Sequence, residues 1–301
     1  MKKILVIGSA AADIVINLDH LPARNEDVHV ISQQMRLGGC AYNTYDMIRL
    51  FGEEVIPFFP VGQGLYGDFI RSAFAEKGIH TPIPFPEEEN GCCYCFVEAD
   101  GERTFISNHG AEYRFRKEWF DDPVLDQADY AYICGLEIEE PTGENILSFL
   151  ERRKDLTVFF SPGPRLEKIP AGRIEKILSL GCILHLNEEE ACRLSHTENA
   201  PDAAKVLFAR TLSPVIITLG KRGCWYRTAS EEGHISAPSA RQKDTVGAGD
   251  AHIGALMACL HAGLSMKSAL INANTAAAKV VESAGAGLDP SVFASLDLIR
   301  S

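Results

Sequence analysis

The residues best suited to chemistry lie together late in the chain, in Asp244-Thr245-Val246-Gly247-Ala248-Gly249-Asp250, ahead of the apolar run AHIGALMACL. Gly247 and Gly249 let the backbone turn tightly and bare its N–H groups where a helix begins. The positive end of the helix dipole falls at the same place, so this corner suits an anion. A carboxylate at Asp250 is then out of place unless it has a task of its own. One such task is to take a proton from a hydroxyl that attacks a phosphoryl group held by those N–H groups. The alternative is an acidic residue that caps the helix and complements its dipole. This segment alone leaves both open.

Such a corner needs a framework of strands and helices, and the chain alternates between them. Strand-like apolar runs recur as KILVIG, EVIPFFPVG, ADYAYICG, LTVFFSPG, CILHLN and PVIITLG, with residues 4–7 as the first strand. Helical spacing fills 40–51, 68–77, 143–153, 167–180 and 202–211, with Gly52 and Gly78 as stops for the first two. The pattern predicts an α/β fold with a doubly wound, mainly parallel sheet flanked by helices. Residues 13–36 and 91–108 break the rhythm as pairs of extended runs without a crossover helix, the second around Asp100-Gly101. They read as a small β-sheet lid that closes over a ligand and excludes water. Residues 247–282 are Ala-rich and read as two helices joined near Gly263-Leu264-Ser265. With no repeat, linker or low-complexity tract, residues 1–301 read as a single domain carrying the lid.

The 301 residues are 46% hydrophobic and 23% charged, which excludes disordered, collagenous and coiled-coil chains. With 29 Lys and Arg against 41 Asp and Glu, the net charge of −12 argues against nucleic acid and anionic membranes as partners. No run reaches the 18 or so apolar residues of a membrane span. Asp13 interrupts the first apolar run too early for a signal peptide. Nine scattered cysteines, including Cys92, Cys93 and Cys95 without a second pair at zinc spacing, read as free thiols. The expected location is the cytoplasm.

The segment DTVGAGD closely resembles the DTxGAGD motif of the ribokinase-like (PfkB) carbohydrate kinases. Four more pieces agree in order. Gly38-Gly39-Cys40-Ala41-Tyr42-Asn43 resembles the early GGxxxN motif, and Asp13 follows the first strand where the family has a sugar-binding aspartate. Asn187-Glu188-Glu189-Glu190 resembles NxxE, and Thr218-Leu219-Gly220-Lys221-Arg222-Gly223 resembles the TLGxxG nucleotide loop. The likeness spans essentially the whole chain. It implies ATP-dependent phosphorylation of a hydroxymethyl group on a small sugar or nucleoside. Asp250 would then be the general base, with Gly247, Ala248 and Gly249 as the anion hole. Asp13, Gly38, Gly39 and Asn43 would hold substrate, joined by Glu137 at a strand end and Arg103 from the lid. Thr218, Gly220, Gly223, Asp244 and Asn274 would serve ATP, and Asn187 and Glu190 would hold Mg²⁺ largely through water. The resemblance also suggests K⁺ near Asp244, Val246 and Gly285-Ala286-Gly287, and a homodimer formed through the lid.

Each assignment has a plainer rival. Asn187 before three glutamates is a good helix N-cap, Asp13 suits a turn, and Arg103 suits a solvated face. His185 lacks the second His of a zinc helix. Gly62-Gln63-Gly64-Leu65-Tyr66-Gly67 is a literal G-x-G-x-x-G with Glu87 downstream, as in a nicotinamide dehydrogenase. Against that stand Pro57 and Pro60 in the preceding strand and Asp68 at the helix start. Gly64 also stands where the resembled family usually has Asp. Ala11 and Cys40 replace the Asn and Lys of true ribokinases, so ribose is not indicated. No basic cluster marks the sugar side, which favours a neutral substrate over a phosphorylated one. A third reading, a non-catalytic sugar- or nucleoside-binding regulator on the same fold, would have no need of a base at Asp250.

Overall fold

The computed structural model describes residues 2–283 and 285–300. In chain order it forms β1 (Lys3–Ile7), β2 (Ala11–Asn17), β3 (Ser32–Gly38), α1 (Cys40–Leu50), β4 (Val55–Phe58) and α2 (Gly64–Lys77). The lid strands β5 (Cys92–Val97) and β6 (Arg103–Asn108) follow, then β7 (Ala128–Cys134), α3 (Gly135–Glu139), α4 (Gly143–Arg152) and β8 (Thr157–Ser161). Next come α5 (Ala171–Ser179), β9 (Ile183–Asn187), α6 (Glu188–Ser195), α7 (Ala200–Thr211) and β10 (Val215–Thr218). The chain ends with β11 (Cys224–Arg227), β12 (Glu232–Ile235), α8 (Ala248–His261), α9 (Met266–Val281) and α10 (Pro290–Ala294).

The main sheet runs β12-β11-β10-β9-β8-β7-β1-β4. Its strands from β10 to β4 are parallel, and β11 and β12 are antiparallel. Because side chains alternate along a strand, this sheet divides one apolar sequence between two cores. Ile4, Val6, Tyr132, Phe159 and Ile216 point to the layer of α1, α8 and α9. Leu5, Ile7, Ile133, Phe160 and Ile217 point to the layer of α4, α5 and α7. Helix α8 packs on both α1 and α9, which sets its N-terminus beside the start of α1.

The second sheet, β3-β2-β5-β6, forms the lid. Ile14 and Ile16 join the body's core through one lid face. The register aligns Asp13 with Arg36 and Cys93, and Cys93 with Ser107, on the other face. Several boundaries differ from the sequence expectation. β3 starts at Ser32 rather than Asp27, since β2 ends at Asn17 and has no further partner to offer. α2 starts at Gly64 instead of 68, and α5 at Ala171 instead of 167, because Pro170 occupies its N-cap. Pro57 is tolerated because β4 is an edge strand.

The lid joins the body at Gly91 and Gly110, whose N–H groups donate to the two oxygens of buried Glu112 at 2.8 and 3.0 Å. Beside it, Asn90 accepts the Gly62 N–H at 2.8 Å. Replacing Glu112 with Gln turns one acceptor into a donor and orphans a buried N–H. Glu112→Gln should lower the unfolding free energy by about 1–3 kcal/mol, read as a lower urea midpoint. An unchanged midpoint would show that this joint does not depend on the carboxylate.

Candidate active site

Helix α8 opens on Gly247, which adopts φ 76° as its N-cap. A Cβ there would lie 2.3 Å from the Ala286 Cβ, so the turn admits only glycine. No side chain caps the helix. The Ala251 N–H donates to the Gly247 carbonyl at 2.8 Å and the Ala248 N–H reaches the Thr245 carbonyl at 3.3 Å. The amides of Gly249 and Asp250 stand in the first turn, where no intrahelical acceptor exists. At Gly249 an added Cβ would meet nothing within 4 Å, so the backbone there borders open space. That space is a cavity of about 570 Å³, lined by Ala248 and Gly249 together with Thr218, Gly220, Gly223 and Asn274. Six of the residues singled out in the sequence thus meet around one cavity.

Asp250 lies on the other side of this turn, half-buried. Its Oδ2 accepts from Asn43 Nδ2 at 2.9 Å, which ties α8 to α1. Burial pushes its carboxyl up to about 6, against hydrogen bonds from Asn43 and the Cys40 thiol that favour the charged form. Asp13 lies across β3 in the space left by Gly38, where a Cβ would fall 1.9 Å from its Oδ2. Burial, then the Asp250 charge, raises Asp13 to about 7. Gly39, at φ 99°, accepts from the Asn43 N–H at 2.9 Å and so fixes the first turn of α1. Glu137, in α3 just beyond the end of β7, is fully buried. Its Oε1 accepts the Ser9 N–H at 2.8 Å, whereas Oε2 has no partner among the described residues. Burial above all raises it to about 7, and Asp250 adds to the effect. Asp13, Glu137, Asn43 and Asp250 therefore form a second, acidic group on the lid side of the anion turn.

Asp244 and Arg103 meet in a pair that the sequence did not foresee. Arg103 is only partly exposed rather than on a solvated face. Its Nη2 reaches from lid strand β6 to Asp244 Oδ2 at 2.7 Å. The same oxygen accepts the Gly285 N–H at 2.9 Å, and Oδ1 accepts the Val246 N–H at 2.9 Å. Burial alone would raise the Asp244 carboxyl, but Arg103 and the two N–H groups outweigh it and hold it below the usual range.

Asn187 and Glu190 form a complete capping box at the start of α6. The Glu190 N–H donates to Asn187 Oδ1 at 2.8 Å, and both Glu190 oxygens accept from Asn187 at 3.0 and 2.8 Å. The plainer reading of this pair is thus present in full. Asn187 pairs in register with Thr218 on β10, which puts the cap at the edge of the cavity. Among the described residues no group of three or more His, Cys, Asp or Glu could hold a metal directly.

The dehydrogenase fingerprint does not form a nucleotide cradle. The N–H groups of Gly62 and Gln63 already donate to Asn90 and Glu88, and the Gly62 carbonyl accepts from Arg71. A Cβ at Gly67 would lie 2.1 Å from that carbonyl, so this glycine serves close packing. Sequence reasoning missed a buried chain behind the cavity. Asn274 Nδ2 donates to the Ile235 carbonyl at 3.1 Å, leaving its Oδ1 to accept from His252 Nε2 at 3.2 Å. His252 Nδ1 then accepts from His185 Nε2 at 2.9 Å, and Ser161 lies 3.3 Å from His185 Nδ1. Burial lowers both rings, His252 to about 4, so they act as neutral struts. The one available signal was the position of His252, two residues beyond Asp250 on the same helix.

Residues 1–292 match the model of the pfkB family carbohydrate kinases. The chain is 31% identical over 293 residues to the uncharacterized sugar kinase YegV of Escherichia coli, covering 96% of this chain and 91% of that protein. Its fold matches the ribokinase of Thermotoga maritima with a TM-score of 0.84, at 24% identity over 97% of this chain and 96% of the other. It also matches the Arabidopsis thaliana ribokinase solved with ribose and ATP, with a TM-score of 0.79 at 21% identity and 97% coverage of each chain. The chain described here belongs to the pfkB family of carbohydrate kinases.

Proposed function

We propose that this kinase transfers the γ-phosphoryl group of ATP to a hydroxymethyl group of a neutral sugar or nucleoside. The observation that carries the reading is the position of Asp250, between the cavity lined by Thr218, Gly220 and Gly249 and the acidic group of Asp13, Asn43 and Glu137. A hydroxyl on the acidic side gives its proton to Asp250 as its oxygen attacks phosphorus. The free amides of the first turn of α8 receive the charge that develops on the transferring group. Donors aimed in this way are each worth about 2.7–4 kcal/mol. Gly247 shapes the turn, and Ala248 and Gly249 border the phosphoryl path.

Thr218, Gly220 and Gly223 suit the phosphates and ribose of ATP, and Lys221 adds a cation to the cavity wall. Asn274 shapes that wall, since its amide is committed to His252 and the Ile235 carbonyl. Mg²⁺ keeps most of its waters and needs few protein ligands, so Glu190 and Asn187 fit it as outer holders reached through water. When bound, the ion supplies charge neutralisation across the β- and γ-phosphates. On the acceptor side, the unpartnered Glu137 oxygen and Asp13 suit the hydroxyls of a polyol, and their charge disfavours an anionic sugar. The name of the Arabidopsis complex, with ribose and ATP, agrees with that substrate class.

ADP release from ATP and Mg²⁺ across a panel of sugars and nucleosides tests the reading, and binding without ADP release would favour the regulator. On the best acceptor, Asp250→Asn should lower kcat by roughly 10²–10⁴, with ATP affinity changed only a few-fold. Equal turnover would remove Asp250 from the base role. Because Asp250 accepts a proton only when charged, kcat/KM should fall tenfold per pH unit below about 6. A flat profile from pH 5 to 8 would contradict this.

The raised carboxyls also affect stability. They bind protons more tightly in the folded chain than in the unfolded one. Their contribution is therefore present near pH 4 and is lost as pH rises through about 6 to 7. Asp13→Asn removes one buried charge and relieves Asp250. Each pKa unit of relief is worth about 1.4 kcal/mol. The unliganded variant should melt higher than the parent at pH 8, with the gap closing towards pH 4. A lower melting temperature at pH 8 would refute the repulsion.

A further inference from the structure

Arg103 and Asp244 form a link that the phosphoryl-transfer reading does not use. Arg103 stands at the start of β6, on the outer strand of the lid. Asp244 precedes the anion turn by three residues. Their side chains meet at 2.7 Å and are 24% and 6% exposed, so the pair lies largely out of water. Asp244 is also a clamp. Its two oxygens hold the N–H of Val246, next to Gly247, and the N–H of Gly285, one residue before the Ala286 that packs on Gly247. The guanidinium is the third donor on this carboxylate. A second lid arginine, Arg36 of β3, comes close to Gly285, where an added Cβ would lie 3.0 Å from its Nη1.

The resemblance suggests K⁺ at the backbone near Asp244 and Val246 and at Gly285-Ala286-Gly287; to use the Asp244 carboxylate as well, the ion would need its lone pairs. Here one oxygen takes a backbone N–H and the other takes both an N–H and the guanidinium. The carboxylate has three donors without a metal, and a cation on Oδ2 would have to displace Arg103 against its positive charge.

We propose that Arg103 of the lid is the resident cation of Asp244: it orders the anion turn only when the lid is docked, and it makes turnover independent of monovalent metal ions. Lid docking and assembly of the anion hole are then a single event. Arg103 acts through Asp244 and is a positioning residue.

The activity arm of the test rests on the kinase reading; the exchange arm does not. In the parent protein, kcat in potassium chloride and in choline chloride at equal ionic strength should agree within about twofold. A loss of about tenfold or more in choline, 1.4 kcal/mol at the barrier, would overturn the proposal. Arg103→Ala should lower kcat by about tenfold or more with the acceptor KM little changed, and millimolar guanidinium ion should restore much of the loss. A variant with parental kcat, or one that guanidinium leaves unrescued, would also overturn it. Hydrogen exchange reads the same link without substrate. The Val246 and Gly285 amides should exchange alike in potassium and choline for the parent, and faster in Arg103→Ala. Exchange that potassium slows in the parent, or that the substitution leaves unchanged, would refute the link even if no acceptor had been found.

Discussion

A carboxylate has to stand beside a site made for anions. Every main feature of this molecule bears on that conflict at Asp250. The first turn of α8 offers amides and a positive dipole, and the same turn brings Asp250 to its edge. Left in water, the carboxylate would stay ionised and repel an incoming phosphate. Burial pushes it up to about 6, with Asp13 and Glu137 nearby raised as well, a setting that suits the base role proposed for it. Asn43, reaching over from α1, keeps that base from being neutral altogether. A general base gains from such a setting because its affinity for the proton is matched to its working pH.

The two sheets share this task. The main sheet divides its apolar side chains between two cores, and one of them packs α1, α8 and α9 together. That packing is what brings Asn43 to Asp250 across 207 residues of chain. The lid sheet supplies Asp13 from one strand and leaves room for it by having Gly38 in the next. Its root is fixed by Glu112, and its outer strand is fixed by Arg103. The lid therefore has a firm hinge at one end and a polar latch at the other.

Much of this was legible in the sequence, for identifiable reasons. The strands of the parallel sheet are continuous apolar runs, and Gly52 and Gly78 end α1 and α2 where a left-handed or tight turn was needed. Short motifs held together by backbone geometry, such as Gly247-Ala248-Gly249-Asp250, could be read because their chemistry is local. Partnerships between distant residues could not. Nothing near Arg103 or Asp244 reveals that 141 residues of chain fold back to join them, and the chain from His185 through His252 to Asn274 is equally hidden. Antiparallel β11 and β12 escaped notice because CWYR and EGHI are short and only half apolar. Asn187 and Glu190 show the opposite limit. Their capping box satisfies the local signal completely, so the sequence alone cannot separate a cap from a metal holder.

The charge balance gives these arrangements a common logic. With a net charge of −12, the molecule as a whole repels a nucleotide, so attraction must come from a few local groups. Lys221 is the one lysine or arginine among the described residues lining the cavity, and its two histidines' worth of ring nitrogen, in His252 and the His185 behind it, is kept neutral by burial. Arg103 of the lid is committed to Asp244. The proposed phosphate site thus depends on backbone N–H groups far more than on side-chain cations. Backbone donors cannot rotate away when the site is empty, and they carry no counter-charge that the acidic acceptor side would draw towards itself. A lysine or arginine placed freely between Asp13, Glu137 and Asp250 would pair with them, lower their raised carboxyls and leave a weaker base. In the proposed reaction, an anion hole built from peptide groups lets three carboxyls and a triphosphate share one site.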